Sequence, residues 1–247
     1  MRDPLFDFTD KVVLVTGGSR GLGYAMVRGF AERGADVIIA SRKIENCERV
    51  AEEVRALGGR ALAVAAHCGK WADCDALIEL AYAEFGRVDV LINNAGMSPA
   101  CPSHEMPESL FDSVVNLNFK GPFRLASQIG HRMAQGDGGC IINISSTGAL
   151  MPLPQVVPYG ASKAALNAMT VSLATEYAPK VRVNTISAGP FRTDGTKGWD
   201  EEGLKQMKHP AGRPGDPPEI VTAALMLASP ASSFTTGAIL RVDGGQR

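Results

Sequence analysis

Val12-Val13-Leu14-Val15-Thr16-Gly17-Gly18-Ser19-Arg20-Gly21-Leu22-Gly23 is the stretch whose reading decides the fold. Val12–Thr16 is a continuous run of β-branched and apolar residues, which predicts a strand buried on both faces. Gly21–Arg33 then takes helical spacing, with Leu22, Met26 and Phe30 at four-residue intervals, and Gly34 closes it. A strand, a glycine-rich turn and a helix N-terminus in succession form an anion site. Backbone N–H groups point outward, and the helix dipole favours phosphate. Gly17 permits the tight turn, Gly21 a close backbone approach to a ligand, and Gly23 close packing of helix on strand. Glycines alone only turn a chain; between a strand and a helix they point to a nucleotide.

The same cycle repeats outward from this turn. Strands are predicted at Asp36–Ala40, Ala61–Ala66, Val88–Ile92, Cys140–Ser145, Val181–Ile186 and Ala238–Val242. Helices are predicted at Glu45–Leu57, Ala72–Phe85, Pro107–Ala134, Tyr159–Tyr177 and Pro218–Ala228, the third with a kink or turn at Gly121–Pro122. Strict alternation implies an α/β fold, a mostly parallel sheet with helices on both faces. No linker or repeat divides residues 1–247, so one domain is expected. Pro190–Pro217, rich in glycine and proline, reads as a mobile lid, with Gly195 and Gly198 as hinges.

Composition narrows the function. The chain has 247 residues, with 25 Lys+Arg against 26 Asp+Glu, so it offers no basic field to nucleic acid or an anionic membrane. No apolar run is long enough to span a bilayer, and MRDPLFDFTD does not read as a signal peptide. Five cysteines without a C-x-x-C pair argue against a disulfide framework and a structural zinc. Nor are the four histidines spaced as metal ligands, so no metal is expected. A cytoplasmic protein is the expectation.

At the end of the second predicted strand stands Ala40-Ser41-Arg42-Lys43. An acid there would hold the ribose 2′-hydroxyl of NAD. None is present, while Arg42, with Arg20 in the turn, could grip a 2′-phosphate. NADP(H) is therefore expected over NAD(H). Tyr159-Gly-Ala-Ser-Lys163 opens a helix, placing the lysine one turn above the phenol. A cation there should lower the tyrosine pKa and make it an acid–base group. Ser145 and Ser146 close the fifth strand at its carboxyl edge, where ligands bind in open α/β sheets. Adjacent serines leave open which one faces the site. Asn93-Asn94-Ala95-Gly96 ends the fourth strand; Asn94 suits a structural role as well as a binding one. Asn116 and Asn118 lie on the helical stretch that follows.

T-G-x-x-x-G-x-G, N-N-A-G, S-x12-Y-x-x-x-K and a terminal V-D-G-G occur in that order between Thr16 and Gly245. The chain thereby resembles the short-chain dehydrogenase/reductase family. The resemblance implies a single-domain Rossmann-type doubly wound sheet of about seven strands, and an Asn-Ser-Tyr-Lys tetrad. By position in the motifs these are Asn118, Ser146, Tyr159 and Lys163. Cofactor contacts are implied at Gly17, Ser19, Arg20, Gly21, Leu22, Gly23, Ser41, Arg42, Lys43, Cys68, Asn94, Ala95, Gly96, Tyr159, Lys163, Gly189 and Thr193. Two segments depart from the family. His67-Cys68 stands where many relatives have Asp-Val against the adenine, and Ser187-Ala188-Gly189-Pro190 where they have Pro-Gly. The former leaves Cys68 to contribute a backbone N–H.

The activity implied is NADPH-dependent reduction of a ketone, a 3-oxoacyl or similar carbonyl, with oxidation of a sugar or polyol alcohol as the alternative. An apolar substrate pocket is expected from Met97–Met106, Gly148–Val157 and Phe191–Met207, including Met151, Leu153, Val156, Phe191, Trp199 and Met207. The family usually forms tetramers. Ala161, Ala164, Ala165 and Ala168 would allow close helix packing in a homotetramer or homodimer.

Overall fold

The computed structural model describes residues 3–194 and 210–246. Among them are the strands β1 (Val12–Thr16), β2 (Asp36–Ser41), β3 (Ala61–Ala65), β4 (Val90–Asn93), β5 (Gly139–Ser146), β6 (Val181–Ala188) and β7 (Ile239–Val242). They make one sheet in the order β3-β2-β1-β4-β5-β6-β7, parallel at every pairing. The helices are α1 (Gly21–Ala31), α2 (Ile44–Ala56), α3 (Trp71–Phe85), α4 (Glu108–Val115), α5 (Gly121–Gln135), α6 (Val157–Glu176) and α7 (Val221–Ala228).

The apolar run of β1 is explained by its two covered faces. Val13 and Val15 pack with Phe30, Val50 and Leu227, from α1, α2 and α7. Val12 and Leu14 point the other way, among Leu77, Leu125 and Leu166 from α3, α5 and α6. Each fully buried side chain of this size contributes roughly 1.5–3 kcal/mol. The chain lays β2 and β3 on one side of β1, then returns to lay β4 on the other. A crevice opens at that reversal, beyond the carboxyl ends of β1 and β4.

The helix predicted over Pro107–Ala134 is interrupted by a π turn at Asn116–Lys120, just before the expected Gly121–Pro122. Gly121 donates its N–H to the Asn116 carbonyl, five residues back. Pro122 has no N–H for the Asn118 carbonyl four back, and its ring crowds that oxygen. The helix widens there, as π turns commonly do at functional sites. Gly121 is also a point of close approach: a Cβ on it would lie 1.6 Å from the Cys68 carbonyl oxygen. β5 and β6 run further than predicted, so that Ser146 and Ala188 are paired at the rim of the crevice.

Candidate active site

The glycine turn is built as its sequence implied. Gly17 and Gly21 have φ of +64° and +56°. A Cβ on Gly23 would stand 2.2 Å from the Gly17 carbonyl oxygen, so α1 could not sit so close to β1 with any larger residue. Thr16 is the hub joining the two sides of the crevice. Its Oγ1 accepts from the N–H groups of Asn94 and Ala95 at 3.0 and 3.1 Å, and donates to the Ile92 carbonyl at 3.3 Å. The Asn94 amide donates to the carbonyls of Thr16 (2.9 Å) and Gly17 (3.3 Å). That side chain holds the turn in place, which is the structural alternative for Asn94.

Around this turn lie the remaining residues expected to bind a cofactor. Ser19 is buried, Leu22 half-buried, and Ser41 ends β2. Arg20, Arg42 and Lys43 are exposed, and their side chains have no hydrogen-bond or ionic partner among the described residues. Thr193 approaches Gly21 from the segment that follows β6, its Cγ2 3.5 Å from where a Cβ would stand. Gly189 follows β6 and donates its N–H to Val242. Cys68 is buried in the core and its thiol is pushed up to about 12 by burial, so only its backbone can face a ligand. His67 donates its N–H to Asp73 and accepts from Gly69 at Nδ1.

The four residues of the expected tetrad converge on the same edge. Asn118 sits in the π turn, fully buried. It accepts from the Met97 N–H at 3.1 Å and donates to the Met97 carbonyl at 2.8 Å, clasping the segment after β4. Asn116 is only half-buried. Gly96 is the point where Asn118 and Lys163 meet: a Cβ there would be 2.8 Å from Asn118 Oδ1 and 3.5 Å from Lys163 Nζ. Ser145 is buried, and its hydroxyl donates to the Lys163 carbonyl. Ser146 points the other way: its Oγ accepts from the Gly148 N–H at 3.0 Å and hydrogen-bonds the Tyr159 side chain. The geometry thus separates the two serines, one fastening α6 and the other facing the phenol.

The electrostatics correct one expectation. Lys163 was expected to lower the Tyr159 pKa. Burial instead raises it, with the Ser146 hydrogen bond pulling back, and the lysine is not among the causes. Lys163 Nζ is turned to the Ile144 carbonyl at 2.7 Å and lies 5.9 Å from the centre of the tyrosine ring. Its own pKa is lowered to about 8, because the ammonium is buried. At neutral pH the site therefore holds a protonated phenol above a buried, readily deprotonated amine.

The pocket lining is corrected in part. Met97, Met106, Met151, Leu153 and Val156 are half-buried in loops on the substrate side. The Cys101 N–H donates to the Gln155 carbonyl at 2.8 Å and ties those loops together. Phe191 lies in the core, 5% exposed and packed over Gly215, because β6 and the segment before α7 close around it. The hinge glycines Gly195 and Gly198, with Trp199 and Met207, lie outside the described residues. Sequence reading also overlooked the hub role of Thr16 and the clasp on Met97. The former had a signal, the hydroxyl directly before the glycine turn; the latter had none.

The turn fits a dinucleotide. Its glycines leave no Cβ over the backbone, and uncommitted cations flank it. The family model described as short chain dehydrogenase matches residues 11–203. An A-factor type gamma-butyrolactone 1′-reductase (1S-forming) of Streptomyces virginiae is 37% identical over 96% of this chain and 95% of its own. A 7α-hydroxysteroid dehydrogenase complexed with NADH and 7-oxo glycochenodeoxycholic acid is 32% identical, with a TM-score of 0.94, covering 100% of this chain and 99% of its own. A blue fluorescent protein from a metagenomic library, in complex with NADPH, is 34% identical, with a TM-score of 0.91, over 97% and 98%. By its motifs, its sheet and these matches along its length, the chain belongs to the short-chain dehydrogenase/reductase family, oxidoreductases of alcohol and carbonyl groups that bind a nicotinamide cofactor.

Proposed function

We propose that the protein is an NADP(H)-dependent reductase that converts a ketone, a 3-oxoacyl compound or similar carbonyl, to a secondary alcohol. The observation that carries this reading is the protonated Tyr159 phenol, hydrogen-bonded to Ser146 and with Lys163 Nζ 5.9 Å from the centre of its ring; burial raises its pKa from the ordinary value. A phenol in that state is a proton donor, which is what reduction of a carbonyl needs. Ser146 shares the hydrogen bond and orients the substrate oxygen. Lys163, when charged, is placed to hold the nicotinamide ribose, its Nζ lying beside Gly96 and donating to the Ile144 carbonyl. Asn118 fixes Met97 and keeps the floor beside Lys163 in place. Gly17, Gly21, Leu22 and Gly23 hold the diphosphate, and the nicotinamide supplies the hydride when bound. Following NADPH absorbance across a panel of ketones, and NADP⁺ across alcohols and polyols, tests the reading. Turnover confined to sugar or polyol oxidation would overturn it.

Preference for NADP(H) rests on Arg20, Arg42 and Lys43, unpaired among the described residues, standing where a carboxylate would exclude a 2′-phosphate. Arg42→Asp is expected to weaken NADPH binding by about 10- to 100-fold, the worth of a charge-assisted hydrogen bond. NADH binding should hold or improve. Fluorescence titration of both cofactors checks this, and equal losses for the two would contradict it.

The Lys163 amine sets a pH dependence. It is charged below about 8 and neutral above. Reduction should therefore slow as pH rises through about 8, while the phenol, raised by burial, is still protonated. A kcat–pH profile should show this alkaline limb, and Lys163→Met should remove it. A flat profile to pH 10 would contradict the role given to the lysine.

The outer face of α6 presents Val157, Ala161, Ala164, Ala168 and Val171, all exposed. Spaced at three and four residues, they form a small, apolar stripe that suits a homodimer or homotetramer. All five cysteines are free and four are buried, as suits the reducing cytoplasm. No helix among the described residues is long and apolar enough to cross a membrane.

A further inference from the structure

Outside the tetrad, one ionic cluster reaches the glycine turn from behind. Arg49, on α2, donates from Nη1 to Glu53 Oε1 at 2.7 Å and from Nη2 to the Ser19 carbonyl at 3.2 Å. Glu53 is held in turn: the Tyr24 hydroxyl of α1 donates to its Oε2 at 2.6 Å, and Arg28 Nη1 lies 3.5 Å from the same oxygen. The Arg49 guanidinium also lies 5.6 Å from the centre of the Tyr24 ring. Two helices thus aim one guanidinium at one backbone carbonyl of the turn.

That carbonyl decides where its peptide plane faces. In a planar trans peptide the C=O and the N–H point in opposite directions. Drawing the Ser19 carbonyl toward α2 turns the Arg20 N–H away from it, and this N–H has no acceptor among the described residues. We propose that Arg49 is a positioning residue for cofactor binding: it sets the Ser19–Arg20 peptide so that the Arg20 N–H donates to an oxygen of the dinucleotide common to both nicotinamide cofactors, on the diphosphate or the ribose beside it. The inference rests on the family's use of a nicotinamide dinucleotide, and is independent of the preference for NADP(H).

The fork matters here, since the guanidinium presents separate donors to Glu53 and Ser19 in one fixed plane, whereas a lysine must serve both from a single nitrogen. Glu53 keeps the guanidinium from swinging into solvent, to which Arg49 is half exposed. The pair with Glu53 alone, being at the surface, contributes little to stability. Its removal should show in binding more than in unfolding.

The test is fluorescence titration of NADPH and of NADH against the unaltered protein, Arg49→Met, Arg49→Lys and Tyr24→Phe, with melting temperatures measured without cofactor. Arg49→Met should raise both dissociation constants by a common factor of about five to ten, the worth of one net hydrogen bond. Arg49→Lys should restore only part of this, and Tyr24→Phe, which removes one of the groups that hold Glu53, should show a smaller loss in the same ratio. Melting temperatures should stay close to that of the unaltered protein. Unchanged dissociation constants would overturn the proposal. So would a loss confined to NADPH, which would make Arg49 a 2′-phosphate contact, or a fall in melting temperature with binding intact, which would leave it a helix fastener. If Arg49→Met does not fold, Tyr24→Phe decides between the same outcomes. Loss of NADP(H) preference in Arg42→Asp bears on a different reading and leaves this one standing.

Discussion

Tyr159→Phe is expected to lower kcat for carbonyl reduction by about 10²- to 10⁴-fold, the range general acid catalysis contributes. The substitution removes one oxygen and leaves the ring, so the packing of α6 against the sheet is unchanged. What is lost is the phenolic hydroxyl that hydrogen-bonds Ser146. Ser146 cannot replace it, since an alcohol of ordinary acidity is a far weaker proton donor. NADPH affinity should remain measurable, because the glycine turn and the cations beyond β2 are elsewhere. Steady-state kinetics with a fluorescence titration of the cofactor would separate the two quantities. Turnover within tenfold of the unaltered protein would remove the phenol from the chemistry.

The second large effect is on stability. Gly121→Ala would place a methyl 1.6 Å from the Cys68 carbonyl oxygen, with backbone on both sides. A side chain can rotate out of such a clash, but here α5 and the turn that follows β3 must move apart. The cost should exceed the roughly 1–3 kcal/mol usual for overpacking. For a chain of this size that is a fall in Tm of about 6 °C or more. Thermal unfolding measures it, and a Tm within a degree would show that α5 and the Cys68 segment separate freely. Activity should fall further than stability alone requires. The π turn carrying Asn118 ends at Gly121, so moving it displaces the clasp on Met97 and the floor beside Lys163.

Much of the fold can be read along the chain because its signals are local. The runs at residues 12–15 and 37–40 are apolar throughout, since both faces of a parallel sheet are covered, and the glycine turn follows from spacing alone. Tyr159 and Lys163, four apart, are legible in the same way, whereas Ser146 and Asn118 are assigned only by resemblance to the family's motifs. The π turn was misplaced, because proline and glycine mark a disturbance without saying which hydrogen bonds reroute around it. The pocket reading of Phe191 failed because an aromatic residue after a strand serves a cavity or a core equally well.

The succession of strands and helices, the glycine turn and the Tyr159–Lys163 pair are set by residues adjacent in the chain, whose spacing acts through backbone geometry. Which serine faces the phenol, which way the Lys163 ammonium turns and how acidic each group becomes were settled only by folding. Those properties depend on partners distant in sequence, such as the Ile144 carbonyl against Lys163, and on the water that burial removes from around a charge. A pattern of letters records neither distance through space nor dehydration. The reactive phenol was therefore visible in the sequence, while its protonation state was decided by the tertiary structure.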